Sequence, residues 1–345
     1  MATHGDSVYK EDETTLNFEA KIANLAGKEA ALFCVSGTMS NQLAIRSHLG
    51  TPPHSVLCDY RAHIYTAEAA GLAVLSQTMV TPVRPRNGLH LTVEDVQENV
   101  ILGDDIHQAP TKIISLENTL GGTIIPVEEI KKISEFARSN GIIMHLDGAR
   151  LWNASIATGV SIKEYAQYFD TVSLCLSKGL GAPVGSILVG PQAKIDRANW
   201  LKKQAGGGIR QAGLLTAAAD VAVEEIWPTM AVTHAKTAKL AKDLEAIGIY
   251  PQIPVHTNFF FIDGARSELN IEIFKQEAAK HNVKVLGERL VLHHQVTDAA
   301  IANLKLAIAS ALKLSKLSTA NKTSGGETVS AYSRQRMNGN LDRVL

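Results

Sequence analysis

The chain has 345 residues, with 34 lysines and arginines balanced by 34 aspartates and glutamates, so there is no electrostatic case for nucleic acid or an anionic membrane as partner. It is long enough for a large core and two lobes. Cys34, Cys58 and Cys175 lie far apart in apolar runs with no CxxC spacing, which reads as reduced thiols in a cytoplasmic protein, while residues 1–20 are too polar for a secretory leader and no apolar run nears the ~20 residues of a membrane helix.

In chain order, the first informative stretch is "FCVSGTMSNQLAI" (33–45), an apolar run that turns through Ser36-Gly37-Thr38 into a helical pattern. Such a turn offers backbone amides, two hydroxyls and the positive end of a helix dipole, which suit a phosphate; an ordinary N-cap explains the same residues. Short apolar or β-branched runs follow at "HSVLCDY" (54–60), "TKIISLE" (111–117), "GIIMHLDG" (141–148), "TVSLCLS" (171–177) and "GSILVG" (185–190). Between them lie amphipathic stretches such as "VEEIKKISEFARSN" (127–140), stopped by Gly141. The alternation predicts an α/β lobe of parallel strands joined by crossover helices.

From about residue 210 the pattern becomes long and helical through 212–248, with Pro228 as its breaker. "HTNFFFID" (256–263), a helix over about 269–281, "VKVLGERLVLHH" (283–294) and a final helix near 298–315 then predict a smaller α+β lobe. From Lys316 onward Ser, Thr, Gly and Asn replace the apolar periodicity, which predicts a disordered tail. The expected divisions are an N-terminal arm over 1–15, a large domain over 16–240, a small domain over 241–315 and the tail over 316–345.

Two further residues carry chemistry. Asp147, in "MHLDGARLWNA" (144–154), ends a predicted buried strand, where a carboxylate must be paired. A protonated ring nitrogen would serve, and so would the cap of the next helix or Arg150. Lys178 ends the next predicted strand in "KGLGAPVG" (178–185), a setting of small residues that a solvated lysine does not need. In an open parallel sheet, ligands sit beyond the carboxyl ends of strands, so both residues can share a crevice with the Ser36 turn. An anion cradle, a buried carboxylate and a lysine in a roomy pocket fit pyridoxal phosphate: Lys178 forms the Schiff base, Asp147 holds the pyridinium nitrogen and the Ser36 turn holds the phosphate.

The chain resembles the low-specificity L-threonine aldolases, above all the fungal ones. The resemblance rests on "GDSVYKEDETT" (5–15), "CVSGTMSNQLAIR" (34–46), "CDYRAHIYTAEAAGLA" (58–73), "SLENT" (115–119), "HLDGARLWNA" (145–154), "CLSKGLGAPVGS" (175–186), "KKQAGGGIRQAG" (202–213) and "RLVLHHQVT" (289–297), in family order. It implies a fold-type-I, aspartate-aminotransferase-like large domain with a mostly parallel sheet and a smaller C-terminal α+β domain. It also implies a homodimer or homotetramer with shared sites, and no metal. The implied reaction is cleavage of L-threonine or L-allo-threonine to glycine and acetaldehyde.

By the same resemblance His63 stacks on the cofactor ring and Arg150 lies near its phenolic oxygen, where a permanent cation favours the phenolate. Lys203 and Arg210 match basic residues that reach the phosphate or the substrate. Arg289 matches the arginine that grips the substrate carboxylate with its planar fork, and Tyr9 falls in a segment on the substrate side.

Two departures matter. Relatives place a histidine directly after Glu-Asn-Thr or one residue later, where it handles the β-hydroxyl, whereas this chain has Leu120 and Gly121. A related fungal branch racemises alanine for peptide natural products, which needs no such base, and that activity is the alternative reading. The family's leading Ser-Asp-Thr segment is also not seen ahead of "MATHGDSVYK", so either further residues precede this sequence or Arg289 works with less help. A non-catalytic scaffold is the third reading; a pure scaffold has no chemical need for Lys178, Asp147 and Arg289 together.

Overall fold

The apolar runs become strands. In the computed structural model, which describes residues 3–324, strands β1 (Ala30–Cys34), β2 (Ser55–Asp59), β3 (Met79–Val83), β4 (Thr111–Glu117), β5 (Ile143–Asp147), β6 (Thr171–Cys175) and β7 (Ser186–Gly190) form one seven-stranded sheet in the order β1-β7-β6-β5-β4-β2-β3. β3, β2, β4, β5 and β6 pair in parallel. β7 is antiparallel to both β6 and β1, so the sheet is mostly parallel, as the resemblance implies. The cause is length: residues 176–185 between β6 and β7 are too few for a crossover, which takes roughly a dozen or more, so the chain reverses and returns beside β6.

The helices of this part are α1 (Glu13–Ala26), α2 (Gly37–His48), α3 (His63–Thr66), α4 (Gly71–Ser76), α5 (Val93–Asn99), α6 (Val127–Ser139), α7 (Leu151–Thr158), α8 (Ile162–Ala166), α9 (Gln192–Gln204) and α10 (Gly213–Glu225). β2, β6 and β7 are buried along their whole length, which is why they read as unbroken apolar runs. α6 turns Ile130, Ile133 and Ala137 into the core and its charges outward, and it stops at Gly141, whose φ of +65° suits glycine. Truncating Ile133 to alanine in that setting costs about 2–5 kcal/mol.

Both sheet edges are protected. At β1 the outward N–H of Phe33 donates to Glu19 Oε1 at 2.7 Å and its carbonyl accepts from Lys202 Nζ at 2.7 Å, so charged side chains occupy the edge. β3 carries Pro82, which cannot donate to another strand.

A first compact unit runs to Ala231 and a second starts at Val232. This division, inside α11 (Met230–Glu245), falls before the expected 240/241 boundary because α11 places Leu240, Ala241 and Leu244 in the second core and only Met230 in the first. The second unit adds β8 (Phe259–Phe261), α12 (Ile271–Lys280), β9 (Arg289–Val291) and α13 (Asp298–Ser324), with β8 and β9 antiparallel around Phe260, Phe274 and Ile308. α13 continues past 315, so Lys316–Ser324 are helical rather than disordered; the rest of the expected tail lies outside the described residues. Residues of the 1–15 arm are hydrogen-bonded to the rest of the first unit. Asp12 caps α1 through Thr15 N at 3.2 Å and also accepts from Gly213 N at 2.6 Å, while Ser7 N donates to the Arg210 carbonyl at 2.7 Å. No helix among the described residues is long and apolar enough to cross a membrane.

Candidate active site

Strand register gathers the site. Asp147, the last residue of β5, pairs with Glu117 at the end of β4 on one side and with Ser173 of β6 on the other. Cys175 at the end of β6 and Cys34 at the end of β1 both lie opposite Ser186 of β7. The Ser36 turn, Glu117, Asp147 and the Lys178 turn therefore leave the sheet at the same end, the crevice where open α/β sheets bind ligands.

Asp147 is buried, and both of its oxygens are engaged: Oδ1 accepts from Ala149 N at 3.0 Å and Oδ2 from Asn41 Nδ2 at 2.8 Å. The same Asn41 amide donates to Glu68 Oε1 at 3.0 Å, and Gln42 Nε2 donates to Glu68 Oε2 at 2.6 Å. Glu68 Oε1 also meets His63 Nδ1 at 2.8 Å. That hydrogen bond holds the His63 pKa above the ordinary histidine value, against the effect of burial. Glu117 Oε2 accepts from the His63 backbone N–H at 2.9 Å, and burial together with nearby Asp147 pushes the Glu117 carboxyl up to about 7.

Lys178 lies in the β6–β7 turn, exposed, and its charge acts on both His63 and Glu117. The turn is closed by Leu176 N to the Gly185 carbonyl at 3.0 Å and Gly181 N to the Lys178 carbonyl at 3.0 Å. Its small residues are needed sterically. A Cβ on Gly179 would lie 3.0 Å from the Met230 methyl, and one on Gly185, at φ +112°, would lie 2.5 Å from the Phe33 ring.

The other sequence-selected residues divide. Ser36 is the N-cap of α2, accepting from Met39 N at 3.1 Å, and its own O–H remains a donor. A Cβ on Gly37 would meet nothing within 4 Å, and Thr38 is half-buried in the first turn, so an anion has room there. Arg150 starts α7 close enough to act on Glu117. Lys203, on the last turn of α9, is exposed. Arg210 pairs with Asp6 and its guanidinium lies 6.0 Å from the Tyr9 ring, so these residues form a cluster of their own. Arg289 belongs to the second unit, 5.7 Å over the Phe259 ring.

Sequence reading missed Glu68, Glu117 and Asn41. Glu117 had a signal, since it ends an apolar strand as Asp147 does. Glu68 and Asn41 had none, because each looks like an ordinary polar residue of a helical segment.

This sheet order and its carboxyl-end crevice define the fold-type-I class of pyridoxal-phosphate proteins. A solved structure from Listeria monocytogenes, provisionally described as an L-allo-threonine aldolase, superposes with a TM-score of 0.74 at 26% identity, covering 90% of this chain and 89% of that one. The chain belongs to the beta-eliminating lyase family, which matches it over residues 1–267. It is 54% identical to a low-specificity L-threonine aldolase of Candida albicans, over 90% of this chain and 84% of that protein. An alanine racemase of Cochliobolus carbonum is 38% identical, over 88% of this chain and 80% of that one.

The residues present fit pyridoxal phosphate. Asp147 is a buried carboxylate whose two bound donors leave a lone pair on each oxygen for a ring N–H, the start of α2 is an open anion cradle, and Lys178 is an accessible amine.

Proposed function

We propose that this chain uses pyridoxal phosphate to cleave β-hydroxy-α-amino acids such as L-threonine and L-allo-threonine to glycine and acetaldehyde. The observation that carries this reading is the register that sets Asp147 and Glu117 side by side at the sheet end from which the Lys178 turn also emerges.

Pyridoxal phosphate, when bound, supplies an aldehyde that condenses with amines and a ring that accepts the electron pair released at Cα. Lys178 offers the amine that holds the aldehyde. Asp147 keeps a proton at the ring nitrogen, and Ser36, Gly37 and Thr38 hold the phosphate, with Lys203 and Arg210 adding positive charge. Arg150 favours an ionised phenolic oxygen. Arg289, with Tyr9, is assigned to the substrate carboxylate from sequence. His63 commits Nδ1 to Glu68, so its ring would stack on the bound cofactor with Nε2 left to exchange a proton. A homodimer or homotetramer with shared sites completes the proposal.

Racemisation of alanine is a second reading, favoured by one observation. The segment after β4 turns through Leu120-Gly121-Gly122-Thr123, with Leu120 N donating to the Thr123 carbonyl at 3.1 Å, and brings no imidazole to that place. Purified protein should be incubated separately with L-threonine, L-allo-threonine and L-alanine while glycine, acetaldehyde and D-alanine are measured. Rapid acetaldehyde and glycine formation is expected; rapid D-alanine with slow acetaldehyde would overturn the aldolase reading.

A further inference from the structure

Asn41 sits on α2 with its side chain buried between two carboxylates, and its three contacts have a forced direction. Carboxylates at neutral pH only accept, so the amide nitrogen must face Asp147 Oδ2 at 2.8 Å and Glu68 Oε1 at 3.0 Å. Asn41 Oδ1 then faces His145 Nε2 at 3.2 Å and must accept from it. Burial pushes His145 down to about 4, so the ring is neutral and carries one proton, at Nε2. Its Nδ1 accepts from the Thr171 hydroxyl at 3.0 Å, and Thr171 Oγ1 in turn accepts from His48 Nε2 at 3.3 Å. His48 is likewise held neutral by burial, at about 4, and its other nitrogen, Nδ1, is buried with no hydrogen-bond partner among the described residues. Every link has one consistent polarity, and the chain delivers both amide protons of Asn41 to carboxylates.

Those carboxylates are close. Atoms of His63, Glu68 and Asp147 lie within 4.8 Å of one another, and Glu68 and Asp147 are both buried. Two carboxylates that close repel and turn apart unless donors stand between them. Glu68 has His63 and Gln42 as further donors, whereas Asp147 has only Ala149 N besides Asn41 among its identified hydrogen bonds. The loss of Asn41 would therefore be felt most at Asp147.

We propose that Asn41 is a positioning residue for the reaction: by placing one amide between Asp147 and Glu68 it holds the Asp147 carboxylate aimed at the cofactor's ring nitrogen. This rests on the pyridoxal-phosphate reading above. The consequence is specific to the ring nitrogen and leaves the phosphate and aldehyde contacts alone.

The test compares dissociation constants of the full-length protein for pyridoxal phosphate and for its 1-deaza analogue, which carries carbon in place of the ring nitrogen, in wild type and in Asn41→Leu. Wild type should prefer pyridoxal phosphate by about tenfold or more, the scale of a hydrogen bond to a charged group. Asn41→Leu should shrink that preference several-fold, mainly by weakening pyridoxal phosphate. A purely structural role would loosen both ligands alike and leave the ratio unchanged, and an unchanged ratio overturns the proposal. If leucine prevents folding, judged by circular dichroism and a lost thermal transition, Asn41→Ser carries the same test, because one hydroxyl donor serves a single carboxylate and the ratio should fall between the two. Wild type that does not distinguish the two cofactors would sink the pyridoxal-phosphate role of Asp147, and this inference with it.

Discussion

Glu117 and Asp147 end adjacent parallel strands as directly paired residues, both buried and both carboxylates. Asp147 accepts two hydrogen bonds, from Ala149 N and Asn41, whereas the hydrogen bond found at Glu117 is the His63 backbone N–H. Burial and the neighbouring Asp147 accordingly raise Glu117 from 4.5 to about 7.

A carboxyl whose pKa is raised by folding adds stability below its unfolded value and loses it as pH rises through its folded value. The window for Glu117 therefore runs from near 4.5 to about 7. Glu117→Gln keeps an acceptor for His63 N and cannot ionise. Its melting temperature relative to wild type should rise between about pH 5 and about pH 8, by the equivalent of roughly 2–3 kcal/mol at most. Equal differences at both ends would show that Glu117 is already ionised at the lower pH.

Glu68→Gln replaces the carboxylate that holds the His63 imidazolium. The His63 pKa is raised in the fold chiefly by that hydrogen bond, so its contribution to stability is present below the ordinary value of 6.5 and fades as pH climbs past the raised one. In the variant His63 should titrate at lower pH. Histidine ring resonances followed by NMR, with His63 identified by its loss in His63→Asn, measure this; an unmoved titration would remove Glu68 from that role.

Lys178→Ala should abolish turnover, by at least about 10³-fold, because no amine is left to hold the aldehyde. Lys178 is exposed in its turn, so thermal stability should change by no more than about 0.5 kcal/mol. Borohydride treatment followed by dialysis should leave cofactor on wild type and none on the variant. Full retention by the variant would place the covalent attachment elsewhere.

Gly121→His tests whether the place without an imidazole serves the β-hydroxyl. Gly121 and Gly122 have φ of +55° and +82°, the left-handed pair of a tight turn, so histidine there should cost about 1–2 kcal/mol of stability. Threonine cleavage should nevertheless rise by about tenfold, and alanine turnover should not, since alanine has no hydroxyl proton to remove. A folded variant with no gain on threonine would count against this assignment.

Arg289→Lys keeps the charge but loses the planar fork. Apparent affinity for amino acids should weaken by about tenfold while the cofactor stays bound, as read from substrate saturation and visible absorbance. Unchanged affinity for every amino acid tried would leave Arg289 outside the site.

Much of the large lobe was legible. "TKIISLE" is β4 from end to end, and the 127–140 pattern is α6 with its glycine stop, because hydrophobic period and turn chemistry are local properties. The antiparallel course of β7 could also have been read, since its connection to β6 is too short for a crossover. The division inside α11 could not be read, because a continuous helix gives no sign of which core each of its turns joins.

At the site, the sequence by itself determined the candidates: Lys178 in its small-residue turn, Asp147 at a strand end, and the Ser36 turn, each flagged by chemistry that its neighbours along the chain make visible. The tertiary structure alone decided the charge state around them. Glu68, from the segment between α3 and α4, and Asn41, from the middle of α2, meet Asp147 only when helix and sheet pack. Burial and hydrogen bonding across 106 positions of sequence separation then set which groups hold protons. Proton affinity depends on distance and dielectric, and neither is a property of residue order.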